Sequence, residues 1–194
     1  MNAADQIRKQ KKLLRQQILA KQKATDPAGW QKTDRKITDY LLSLPEYASA
    51  GTVFSFVGTG PEINTRPFLE QVLLDGKTLC VPLCIGKGVM EARRIYDPAS
   101  LIQGFYGLWE PDPKYAPQIS PEQIDLAVIP CVTCSHTGER LGHGGGYYDR
   151  YFARSPEIFS VMICREEVIC ENIPRQPHDL IFPVVVTEAG VFRT

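Results

Sequence analysis

The sequence predicts an α/β fold in a single domain, with a mostly parallel central sheet flanked by helices. Three observations carry this expectation. Short apolar runs of strand length recur along the chain, helical segments stand between them, and neither an internal repeat nor a long linker divides the 194 residues. Residues 1–194 therefore read as one domain, which at this length buries roughly 70% of its unfolded surface.

Taken in order, Asp5 to about Lys23 lacks Gly and Pro and is rich in Lys, Gln, Leu and Arg, so it reads as a basic N-terminal helix with Ile7, Leu14 and Ile18 on one apolar stripe. A second helix is expected over Pro27–Ser43, capped by Asp26 and closed before Pro45. Thr52–Val57 is β-branched and aromatic, hence a buried strand. Asn64 or Thr65 caps a helix over Arg66–Leu74 that stops at Gly76. Lys77–Pro82 and Val89–Tyr96 read as strands, Trp109–Pro121 as a Pro-rich surface loop. Asp125–Pro130, Phe159–Cys164 and Leu180–Val186 are further strand-length apolar runs, and Tyr147–Ala153 reads as helical.

Composition excludes several classes of function. Basic and acidic residues number 22 each, so no overall positive field suits nucleic acid. Residues 1–36 nevertheless carry ten basic and three acidic side chains, against twelve and nineteen in the remaining 158. The apolar runs are too short to span a membrane. The charged N-terminus has no apolar export region, so a cytoplasmic protein is expected. Its six cysteines are then expected as reduced thiols. Four lie in or beside apolar runs and read as packing. Cys131-x-x-Cys134 has the spacing of a zinc or redox pair, but no second pair follows and packing is the preferred reading.

The most unusual stretch is Arg140-Leu-Gly-His-Gly-Gly-Gly-Tyr-Tyr-Asp149. Gly142, Gly144, Gly145 and Gly146 allow close backbone approach to a ligand, and a glycine loop running into a helix presents N–H groups to phosphate. It is neither a Walker loop nor G-x-G-x-x-G. The glycines alone would also suit a turn between strand and helix. Arg140 and Asp149 favour the functional reading, one as a cation for phosphate and the other as an oxygen ligand for Mg²⁺. Lys11 and Arg15 project from neighbouring spots on the first helix, where spacing alone reads as a solvated basic face.

This stretch resembles the 5-formyltetrahydrofolate cyclo-ligase (5,10-methenyltetrahydrofolate synthetase) family, whose pattern runs approximately R-L-G-x-G-[GK]-G-[YF]-Y-D. The likeness extends over nearly the whole chain: Lys11 and Arg15, Phe54–Glu62, Trp109, Asp125–Pro130, and His178-Asp179 before Val184–Thr187. It implies ATP-dependent cyclisation of 5-formyltetrahydrofolate to 5,10-methenyltetrahydrofolate. The formyl oxygen takes the γ-phosphoryl group, N10 attacks the activated carbon, and phosphate leaves. Small molecules are then the partners, with ATP as co-substrate and Mg²⁺ as cofactor, and without nucleic acid or membrane.

Carried over residue by residue, the resemblance implies that Lys11, Arg15, Arg140, Leu141, Gly142, His143, Gly144, Gly145, Gly146, Tyr147 and Tyr148 bind ATP. Arg140, His143 and Gly145 are the expected catalytic positions, the last two standing where some members carry Arg and Lys. Asp149 and Asp179 would hold Mg²⁺. Glu62 would accept hydrogen bonds from the pterin, with Phe56, Val57, Trp109, Tyr147 and Tyr148 lining its slot. Ser135 stands where the family commonly has an acid. Two other readings are a non-catalytic folate or nucleotide binder on the same fold, and an enzyme resembling phosphosugar isomerases or CoA-transferases.

Overall fold

A computed structural model describes residues 2–25, 27–104 and 107–194. The chain opens with helix α1 (Ala3–Ala24), whose N-cap Asn2 accepts a 2.8 Å hydrogen bond from the Asp5 N–H. Helix α2 (Pro27–Leu42) follows. The cap expected at Asp26 lies outside the described residues. Pro45 opens a short helix, α3 (Pro45–Ser49), that the sequence reading did not foresee.

Next come β1 (Thr52–Ser55), α4 (Arg66–Leu74), β2 (Thr78–Gly86) and β3 (Val89–Ile95). The expected loop between Trp109 and Pro121 is partly strand. Short strands β4 (Ile102–Gln103) and β5 (Trp109–Glu110) pair with each other, and β6 (Gln118–Ile119) pairs with β3. Then follow β7 (Leu126–Ile129), β8 (Thr133–Cys134), β9 (Arg140–Leu141), α5 (Tyr147–Phe152) and β10 (Phe159–Ile163). The apolar run Leu180–Val186 is interrupted at Pro183, so its strand, β11, covers only Val184–Thr187. A hairpin then adds β12 (Gly190–Arg193).

Eight strands form one sheet in the order β12-β11-β10-β7-β1-β2-β3-β6. The central five are parallel, and antiparallel strands close both edges. Alternation along the strands explains why their runs are apolar throughout. Val53, Leu126 and Val128 face a cluster with Ile37 and Leu41 of α2 and Phe68, Leu69 and Val72 of α4. Phe54, Ala127 and Ile129 face the opposite cluster with Tyr151 and Phe152 of α5. Both faces are covered, so all of β7 and all of β1 after Thr52 are buried. Pro82 is tolerated inside β2 because β1 pairs with β2 only as far as Cys80, leaving Pro82 opposite β3 alone.

β1 has β2 on one side and β7 on the other, and the chain reverses its direction of travel across the sheet there. Loops leaving the carboxyl ends of β1 and β7 therefore diverge and open a crevice, the usual ligand position in such sheets. A narrow cleft lies there, lined by Phe56 and Glu62 after β1, Pro130 and Cys131 after β7, Cys164 and Arg165 after β10, and Gln22 of α1.

Phe54 links the core to the segment entering α5: its ring stacks on Tyr151 at 6.0 Å and meets Phe152 edge-on at 6.0 Å. Phe54→Ala should cost about 3–5 kcal/mol in urea denaturation, as fully buried aromatics do. A loss below about 1 kcal/mol would show that α5 is anchored elsewhere.

Candidate active site

The glycine loop is held open by its flanks. Gly144 and Gly146 have φ of 96° and 67°, a region that L side chains rarely adopt. Among the described residues no hydrogen bond engages the N–H of His143, Gly144, Gly145 or Gly146. These donors remain available to an anion. The helix that follows has only six residues, so its dipole adds little. The expected helix contribution to phosphate binding therefore passes to loop N–H groups and cations.

Arg140 lies under this loop with 9% of its surface exposed. Its Nε donates to the Pro130 carbonyl at 2.8 Å and one terminal nitrogen reaches Asp149 Oδ2 at 3.2 Å. The other nitrogen sits so close to Gly142 that a Cβ there would lie 2.7 Å away. The Arg140 guanidinium also lies 5.2 Å from the centre of the Tyr148 ring.

Helix α1 brings two further cations from more than a hundred residues away. Arg15 Nε donates to the Gly142 carbonyl at 2.6 Å, and Lys11 Nζ meets Asp179 Oδ2 at 2.5 Å. Lys11 is 8% exposed, so the solvated basic face read from spacing is wrong for these two residues. Burial, and then the neighbouring Arg140 guanidinium, pull Arg15 below the usual arginine range, while Asp179 and Asp149 oppose that pull. Burial acts most strongly on Asp179 and pushes it upward. The Gln176 N–H and the Lys11 ammonium together outweigh burial, so Asp179 sits below the usual carboxylate range.

The third wall is the segment after β1. Glu62 Oε2 accepts from the Thr59 N–H at 3.0 Å and from its hydroxyl at 3.2 Å, while Oε1 lies 3.3 Å from His143 Nε2. This segment is fixed from beneath by a pair that the sequence reading missed. Arg165, 2% exposed, forms a two-point ion pair with Asp34 at 2.8 and 2.9 Å. It also donates to the carbonyls of Pro61 and Glu62 and lies over the Trp30 ring. Thr65 accepts from the Gly58 N–H and donates to the Phe56 carbonyl, closing the same turn. The available signal was a charged residue directly after the apolar run of β10, where a parallel strand delivers its next residues to the crevice.

With this geometry in place, the comparisons with known proteins are decisive. Residues 7–188 match the sequence model of the 5-formyltetrahydrofolate cyclo-ligase family. The chain belongs to that family. A probable 5-formyltetrahydrofolate cyclo-ligase of Schizosaccharomyces pombe is 29% identical over 172 residues, covering 81% of this chain and 84% of the relative. The Escherichia coli K12 enzyme is 24% identical over 183 residues, covering 90% and 98%. The NMR structure of Aquifex aeolicus 5,10-methenyltetrahydrofolate synthetase superposes with a TM-score of 0.83 at 30% identity, over 94% of this chain and 92% of the other.

Most of the residues expected to serve a cyclo-ligase site converge. Lys11, Arg15, Arg140, Asp149 and Asp179 surround the glycine loop, and Glu62 joins it through His143. Phe56 is buried and lines the cleft, with Val57 beside it only partly buried. Leu141 is buried in the β8–β9 hairpin and contributes backbone there. Tyr147 covers Gly145, where a Cβ would meet its ring at 2.8 Å. Tyr148 packs edge-on against Phe54, and burial pushes its phenol well above the ordinary range. Trp109 is not brought into this group: it is 43% exposed on β5, beyond the carboxyl end of β2.

Gly145 offers only backbone, and its carbonyl accepts from Arg150. Arg150 also donates to the Gly88 carbonyl at 2.9 Å, bracing the loop against the β2–β3 turn. Ser135 is fully buried and serves a turn, pairing with the Thr137 hydroxyl and accepting from the Glu139 N–H.

Because the folded chain lowers the pKa of Asp179, its stabilising contribution is complete above the ordinary carboxylate value of 3.8 and fades as pH falls through the lower folded value. The thermal stability advantage of wild type over Asp179→Asn should therefore persist at neutral pH and shrink in acid. An advantage that grows on acidification would contradict the pairing with Lys11.

Proposed function

We propose that the glycine loop, Lys11, Arg15 and Arg140 receive the ATP phosphates, and that the wall formed by Phe56, Val57 and Glu62 receives the reduced pterin. The family's reaction is ATP-dependent cyclisation of 5-formyltetrahydrofolate to 5,10-methenyltetrahydrofolate, and this chain is a ligase of that family with ATP as co-substrate. The observation that carries the assignment of the phosphate site is the meeting of two α1 cations with Arg140 at a loop whose His143–Gly146 N–H groups have no hydrogen-bond partner among the described residues.

The chemistry asks for such a place. A formyl oxygen is a poor leaving group until phosphorylated, and transferring the γ-phosphoryl group requires alignment and charge compensation more than protein nucleophiles. Arg140 is tied to the Pro130 carbonyl through Nε, so its terminal nitrogens can exchange Asp149 for phosphate oxygens without the guanidinium losing its anchor. Lys11 can likewise exchange Asp179 for phosphate. N10 of the folate then attacks the activated carbon and phosphate departs.

Asp149 and Asp179 are the residues we assign to Mg²⁺. Hard carboxylate oxygens suit that ion, and each carboxylate meets its Lys or Arg through Oδ2; Oδ1 is the ligand atom we assign, with the exposed His178 Nε2 4.0 Å from that of Asp179. When bound, the ion would neutralise charge on the transferring phosphoryl group. Glu62 presents a carboxylate edge that matches the planar donor array of a pterin, and the Arg165–Asp34 pair keeps that edge in place.

Mixing the protein with Mg·ATP and 5-formyltetrahydrofolate should give methenyl absorbance and ADP in equal amounts. Arg140→Ala and Asp149→Ala should each lower kcat/KM about 100-fold or more, since each removes charge compensation at the phosphates. Wild-type kinetics in both would remove these roles. Glu62→Gln should raise KM for the folate about tenfold, equivalent to about 1.4 kcal/mol, with KM for ATP unchanged. A loss confined to ATP would reassign Glu62.

A further inference from the structure

We propose that Cys131, Cys134 and Cys164 form a three-thiolate site for a soft divalent cation of the zinc class, set against the wall of the cleft. Their Sγ atoms lie within 4.8 Å of one another, and among the described residues no other three His, Cys, Asp or Glu side chains converge in this way. Three sulfurs bound to one Zn²⁺ at about 2.3 Å stand about 3.8–4.0 Å apart, so small side-chain rotations bring this trio to bonding distance.

Backbone topology explains why the three meet. β7 and β10 are parallel neighbours with Ile129 opposite Met162. Cys131 and Cys164 each lie two residues beyond that pair, so the strands deliver them side by side. Cys134 closes the group from β8, and the Cys170 N–H fixes its carbonyl at 2.9 Å. A search for a second C-x-x-C could not find this arrangement, since its third thiol comes from another strand.

The three sulfurs come from β8 and from the ends of β7 and β10, and they converge beside the cleft that Cys131 and Cys164 line. Three thiolates and one divalent cation leave a single negative charge. The thiol protons leave to solvent on binding. Cys134 and Cys164 are buried and Cys131 is partly buried, and Cys131 and Cys164 both line the cleft. A tetrahedral ion therefore keeps its fourth position on the cleft side for water or a bound molecule.

The test is to titrate the reduced full-length protein with Co²⁺. One equivalent should produce thiolate-to-cobalt charge-transfer absorption and tetrahedral visible bands, both removed by Zn²⁺. Cys134→Ser and Cys164→Ser should each abolish the signal, and Cys170→Ser should retain it. In wild type, one equivalent of Zn²⁺ should slow iodoacetamide alkylation of Cys131 at least tenfold and leave Cys170 unaffected, which needs no variant to fold. Absence of a thiolate–cobalt band, or a band kept in Cys164→Ser and lost in Cys170→Ser, would overturn the site. Unchanged alkylation of Cys131 would do the same.

Discussion

Interleaved charge at the mouth of the crevice is the constraint on which the rest of the structure turns. A surface that gathers several cations must hold them together against their own repulsion, which in a partly buried setting amounts to a few kcal/mol per pair. Here Lys11 is matched by Asp179, Arg140 by Asp149, and Arg15 by the Gly142 carbonyl. Burial first, and the neighbouring Arg140 guanidinium second, hold Arg15 below the usual arginine range. The same contacts help to dock the N-terminal helix, together with Ile18 on the core and Lys21 on the Glu167 carbonyl.

The second constraint is positional. A parallel sheet delivers the residues after its strands to one end, and the reversal at β1 opens that end between β1 and β7. What arrives there would be loose without support from beneath. Arg165 supplies it by bridging Asp34 of α2 to the carbonyls of Pro61 and Glu62. A buried pair of this kind contributes little net stability against an apolar substitute, but losing one partner strands the other charge. Its value is geometric, for it sets where the Glu62 carboxylate stands relative to His143 and the loop.

How much of this the sequence shows depends on the range of the interaction. The parallel core was legible because strands buried on both faces read as near-continuous apolar runs, as Leu126–Ile129 and Val184–Val186 do. Strands of two residues such as β5 and β6 left no periodicity to read, and β12 is a partly exposed edge. In the site, Arg140 to Asp149 was legible because its glycines, cation and acid are contiguous. Lys11 and Arg15 looked like surface until the fold placed Asp179 and Gly142 against them. The Arg165–Asp34 pair spans 131 residues, and nothing local in either segment announces the other.

The two features at the end of β7 are mechanically linked. The Pro130 carbonyl that anchors Arg140 belongs to the peptide group joining Pro130 to Cys131. Rotation of that peptide would move the guanidinium and the thiol together. The Arg140 side chain can therefore trade Asp149 for another anion while its root stays fixed, provided the Cys131 backbone is itself held. The Cys131 Sγ contact to the Ile163 carbonyl at 3.5 Å ties that backbone to β10. The end of β7 is thus tied to β10 through Cys131 and to the glycine loop through Arg140, so the two strand ends and the loop share one anchor.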